Sequence, residues 1–250
     1  MERLSCPQGF GEFRGNCLRE QSWLAGRLTE LSDGFTEAHR KLGRFSSFAS
    51  FVVLLAYVPT LVLGLLSLKY PTQPIGDPYF SLLEILIVIG APLILIAMVA
   101  VHAYAPPEAK AYSLTALVFM VILTGITTTV HFAILTVSRQ ITEAGFSQSS
   151  FLLSFNWPSV AYAADDLAWD LFFGLSMLFG AFAFRKGGLE KVVRCVMLLS
   201  GGLSVFGLFG VPFLGQTPII RNIGVVGYAG IGIVVFLLLG ILFGRSRPPS

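Results

Sequence analysis

The chain has 250 residues, 54% of them hydrophobic and only 12% charged, with a mean hydropathy of +0.76. Soluble domains carry roughly a quarter charged residues, so the composition excludes an ordinary soluble fold and marks an integral membrane protein. A net charge of +3 says little by itself, and the placement of the charges says more.

Residues 1–45 are the polar part of the chain. The first twenty, with Pro7, Gly9, Gly11 and Gly15, carry turn formers and no apolar period. From Leu24 the order changes. Leu24, Leu28, Leu31, Phe35, Ala38, Leu42 and Phe45 recur at alternating spacings of four and three, which predicts an amphipathic helix over 24–45. Arg27, Glu30, Asp33, Glu37 and Arg40 take its other face. Such a helix either lies on the bilayer surface, with Arg40, Lys41 and Arg44 near anionic headgroups, or meets a protein partner or a second copy of the chain. No signal-peptide pattern precedes it. Cys6 and Cys17 with His39 do not match a common zinc-module spacing and read as free thiols on the reducing side.

A membrane-crossing helix needs about 17–25 mostly apolar residues, and six such runs follow, near 47–68, 81–102, 113–137, 163–184, 193–214 and 223–243. The expected fold is therefore an all-α membrane protein, a six-transmembrane-helix bundle with an N-terminal amphipathic cytoplasmic helix. Its parts are a cytoplasmic segment over 1–45, the bundle over 46–244 and a tail over 245–250. Of the 17 Lys and Arg residues, only Lys69, Arg139 and Arg221 fall on the side opposite the N-terminus. The positive-inside rule places that sparse side outside and both termini in the cytoplasm, which six spans independently require. The same distribution follows topology and gives no nucleic-acid footprint.

The first two spans contain Pro59 and Pro92, each able to kink its helix. Glu84 stands at the outer end of the second span, shallow enough for its carboxylate to meet water, and His102 at the inner end. In the third span Thr124, Thr128, His131 and Ser138 recur at helical spacing and give one polar face. Residues 138–162 form the one long outer loop. Its apolar stretch Phe151–Phe155 and Asn156-Trp157-Pro158 read either as a lid or as an anchored connector. The fifth and sixth spans are rich in Gly and Ser, as close helix packing requires, and Gly240 and Gly244 repeat the GxxxG spacing.

The sharpest feature is Asp165-Asp166-Leu167-Ala168-Trp169-Asp170, three carboxylates opening the fourth span. A charge at the centre of a membrane helix costs about 2.5–3.5 kcal/mol on insertion scales and calls for a partner. Asp166 and Asp170 share a helical face. By depth, His131 matches Asp170, while Arg139 and Arg221 fall level with Asp165 and Asp166. The expected pairs are His131 with Asp170, and either arginine with Asp165 or Asp166. The candidate ligand- or ion-binding set is thus His131, Asp170, Asp166, Asp165, Arg139, Arg221, Glu84 and Thr128.

Spans four and five, Leu171-Phe172-Phe173-Gly174-Leu175-Ser176-Met177-Leu178-Phe179, the turn Arg185-Lys186-Gly187-Gly188-Leu189-Glu190 and the glycines of 201–210, resemble a pattern in uncharacterised bacterial six-helix membrane proteins. The resemblance implies a multi-pass protein of the bacterial inner membrane and carries no activity. Three functions stay open from the sequence. The first is binding or transport of a small polar solute, ion or proton through an outward-facing polar cluster. The second is a non-catalytic structural or regulatory subunit meeting a partner through residues 24–45. The third, a metal-dependent intramembrane hydrolase, has little support: H-E-x-x-H and G-x-S-x-G are missing and His131 is alone at its depth. No cofactor and no catalytic or metal-binding residue is assigned.

Overall fold

A computed structural model of the chain describes residues 35–70, 73, 75–143, 149–154, 159–185, 187–210 and 218–246. It is an all-α bundle with six helices long and apolar enough to cross a membrane. These are α1 (Glu37–Leu66), α2 (Tyr79–Tyr104), α3 (Lys110–Glu143), α5 (Val160–Ala183), α6 (Leu189–Leu208) and α7 (218–245), with a short α4 (Ser149–Leu153) between α3 and α5. Each expected span falls on one of the six.

The start of α1 corrects the expected 24–45 helix. Thr36 has extended backbone, its hydroxyl accepts from the His39 amide, and the His39 ring in turn accepts from the Thr36 amide. This reciprocal cap opens a new helix, so one helix cannot run through Phe35 and Thr36. Residues 37–45 belong to the first span, and Phe35 turns inward to stack on Phe243 and meet Tyr104 edge-on. Residues 24–34, like Cys6 and Cys17, lie outside the described residues.

The spans pack in chain order: α1 on α2, α2 on α3, α3 on α5, α5 on α6 and α6 on α7, and α7 returns to α1 to close the ring. Their faces differ accordingly. Only 11% of the apolar window of α1 is buried against 56% of that of α5, so α5 is the innermost span. α1 turns Val52, Leu55, Val62 and Leu66 outward and packs through small residues instead. A Cβ on Gly43 would stand 2.6 Å from the Ala100 Cβ, and Gly240 of α7 faces the ring of Phe48. Gly240 and Gly244 therefore serve contact with α1, since Gly244 faces Arg44.

Two spans depart from regular α geometry. In α5 a π-helical stretch, Leu167–Phe173, joins Val160–Asp166 to Gly174–Gly180. In α7 a second one, Val226–Ile231, interrupts the helix between Val225 and Gly232. Below α5 the chain turns through Gly188, whose φ of 66° suits a residue without a Cβ, into the first turn of α6.

Candidate functional site: a buried histidine bridge

Three spans bring ionisable side chains to one level. Glu84 lies five residues into α2, Asp165 five residues into α5, and His131 seven residues before Ser138, where the apolar span of α3 ends. At 1.5 Å per residue these are depths of about 7–10 Å. His131 Nδ1 stands 2.6 Å from Glu84 Oε2, and Nε2 stands 3.1 Å from Asp165 Oδ1. His131 is 1% exposed and Glu84 3%, with Asp165 nearly as buried. A single imidazole thus bridges carboxylates from the spans on either side of it.

The helical repeat supplies the rest of the site. Thr127, one turn before His131, donates from Oγ1 to Asp165 Oδ1 at 2.8 Å. Trp169, one turn after Asp165, donates from its indole nitrogen to Thr127 Oγ1 at 3.0 Å. Its ring packs against Tyr228 of α7, with centroids 5.3 Å apart. Tyr57 of α1 lies within electrostatic range of Glu84 and Asp165.

Several expectations are corrected here. His131 pairs with Glu84 and Asp165 rather than with Asp170. Glu84 does not reach water, because α2 turns that face toward α3. Asp165 is buried against Thr127 and His131 rather than paired with Arg221. Arg221 donates instead to the Tyr162 hydroxyl at 2.8 Å, with its guanidinium 6.0 Å from that ring. Among the described residues no ion pair within 4 Å joins it to Asp165 or Asp166. The Thr128 hydroxyl is buried and joins none of these hydrogen bonds, having no partner among the described residues. Arg139 lies on α3, which runs on to Glu143, but its side chain lies outside the described residues, as do Phe155–Pro158 of the expected lid or anchor.

Asp170 lies ten residues into α5, about 15 Å along the helix and so near the middle of that span. It is 2% exposed. Its Oδ1 lies against the backbones of Gly224 in α7 and Gly207 in α6: a Cβ on Gly207 would stand 3.1 Å from it, and one on Gly224 would overlap it. Neither this oxygen nor Oδ2 of Asp166 has a hydrogen-bond partner among the described residues.

For both N···O lines to be hydrogen bonds each needs one proton, and a neutral imidazole brings one. The ring can therefore exchange a proton with either carboxylate along these lines. With both ring nitrogens facing carboxylate oxygens, the imidazole presents no free edge to a metal, and no group of three or more His, Cys, Asp or Glu side chains arranged to hold a metal ion occurs among the described residues.

Thr127, Trp169, Tyr162, Tyr57 and Tyr228 escaped the sequence reading. Thr127 and Trp169 were discoverable, each standing one helical turn from a residue already singled out, whereas the tyrosines look like ordinary apolar packing. Comparison of the chain with protein-family models, with curated proteins and with solved structures returns no match.

Proposed function

We propose that the protein binds and relays protons across the outer half of a membrane through the Glu84–His131–Asp165 bridge. The observation that carries this reading is the imidazole held between two carboxylates of different spans. Histidine accepts a proton at one nitrogen and releases one from the other, and it titrates nearest neutral pH of the unperturbed side chains. A bridge built only for rigidity needs no titrating centre at this depth, where ionisable groups commonly mark proton or ion paths. Arg221 and Tyr162 stand at the outer mouth, in the first turns of α7 and α5. The charge distribution favours both termini on the cytoplasmic side, and the resemblance of spans four and five favours a bacterial inner membrane. On that topology the bridge belongs to the outward half.

The experiment is proton flux in liposomes containing the purified protein, read by a trapped pH-sensitive dye under an imposed potential. Wild type is expected to dissipate the imposed gradient and His131→Gln to lose most of that flux while still eluting as a folded species. Equal flux from the two proteins would reject the relay and favour the bridge as a structural tie in a regulatory subunit. An epitope or reporter at each terminus, tested for accessibility in intact cells, checks the orientation.

A further inference from the structure

We infer that Asp170 is a second proton-binding carboxyl, set at mid-membrane depth below the bridge and reached through Asp166. Its carboxyl is almost fully buried, and Oδ1 lies against Gly207 and Gly224 with no hydrogen-bond partner among the described residues. An ionised carboxylate in such a place is stable only when a proton or a cation neutralises it. A cation would need several converging oxygens. Among the described residues no group of three or more His, Cys, Asp or Glu side chains is arranged to hold one, which leaves the proton as the occupant. The balance is simple: the Asp170 carboxylate takes a proton from hydronium or from the Asp166 carboxyl to form an O–H bond, and returns it by the reverse step.

The surroundings fit this role. Asp166, one turn nearer the start of α5 and in electrostatic range of Arg221, also carries a buried oxygen without a partner among the described residues. α3 contributes His131 beside Asp165, α7 contributes Tyr228 and Arg221, α1 contributes Tyr57, and α6 offers Gly207 and Ser204, neither of which titrates. Asp170 also lies within the π-helical stretch of α5, and Tyr228 lies within that of α7. Such wide turns concentrate at functional sites, where helix register is most easily rearranged. Both occur beside this one carboxyl. The assignment extends the proton reading of the bridge, and its test separates the two.

Wild-type protein in detergent is treated with dicyclohexylcarbodiimide, an apolar reagent that adds to protonated carboxyls, and the adduct is mapped by peptide mass spectrometry. An adduct on Asp170 is expected, falling about tenfold for each pH unit beyond its midpoint, unchanged by sodium ions and retained in His131→Gln. Absence of the adduct from Asp170 in folded protein overturns the inference, whatever the flux of the His131 variant. Protection by sodium overturns it in favour of a cation site. An Asp170 adduct together with undiminished flux in His131→Gln leaves this inference standing and removes the bridge reading alone.

Discussion

His131 Nδ1 and Glu84 Oε2 lie 2.6 Å apart, although 47 positions separate the residues in the chain and each belongs to a different span. The other ring nitrogen faces Asp165, so removing the imidazole leaves two buried carboxylates without their partner. Breaking a buried charge pair costs about 3–5 kcal/mol, most of it from the group left behind. His131→Leu is expected to lose stability on that scale in detergent unfolding measurements. Combined replacement by Gln at 84 and 131 and Asn at 165 should cost clearly less than the three single losses added together, because no charge is stranded. Strict additivity would show that the three side chains do not act as a unit.

Thr127 and Thr128 are neighbours with opposite fates. Thr127→Val removes a donor from Asp165 and the acceptor of the Trp169 indole, an expected loss of about 1–3 kcal/mol, with a shift in tryptophan emission. Thr128→Val removes a buried hydroxyl that has no partner among the described residues and is expected to be neutral or stabilising. Equal losses at both positions would contradict this assignment of the α3 face.

How much of this was legible in the sequence follows from what each signal depends on. The six spans rest on runs of apolar residues, a property local to each helix, and all six were found. The depth of His131 and the importance of Asp165, Asp166 and Asp170 followed from the cost of charge in hydrocarbon, again a local argument. Pairing was harder, because depth alone matched His131 to Asp170, whereas the rotation of α5 about its axis turns Asp165 toward α3 and Asp170 toward α6 and α7. That rotation depends on the π-helical stretch and on the glycines opposite it, and no single helix announces them. Glu84 was misplaced for a similar reason: its distance from the end of α2 was visible, but the face it occupies was not.

The glycines around Asp170 carry a prediction of their own. Gly224→Ala would push a methyl group onto Asp170 Oδ1 and toward the Gly207 Cα, 3.1 Å away, while Gly202 faces open space. Overpacking of this kind costs about 1–3 kcal/mol, and at position 224 it also displaces the carboxyl. Gly224→Ala should therefore lower the unfolding temperature and reduce carbodiimide labelling of Asp170. Gly202→Ala is expected to gain up to about 1 kcal/mol from helix propensity and to leave labelling unchanged. Identical behaviour of the two variants would mean that the close approach of α6 and α7 does not shape the carboxyl's position.

The opposite end of the bundle separates stability from proton handling. There the Tyr104 hydroxyl donates to Glu190 Oε1 at 2.6 Å, and the Arg185 amide donates to Oε2 at 3.1 Å. The end of α2 is thereby tied to the first turn of α6 and to the turn before it. The Tyr104 ring meets Phe35, Phe184 and Phe243, so Tyr104→Phe keeps the packing and removes only the hydroxyl. A hydrogen bond to a charged group contributes about 1.5–3 kcal/mol, and a loss in that range is expected in the unfolding curve. Tyr104 stands twenty residues along α2 from Glu84, about 30 Å at the helical rise, too far to exchange a proton with the bridge directly. Liposomes containing Tyr104→Phe should therefore conduct protons like wild type at temperatures where the variant is folded. A flux defect as deep as that of His131→Gln would place Glu190 on the same path and extend the relay across the full thickness of the membrane.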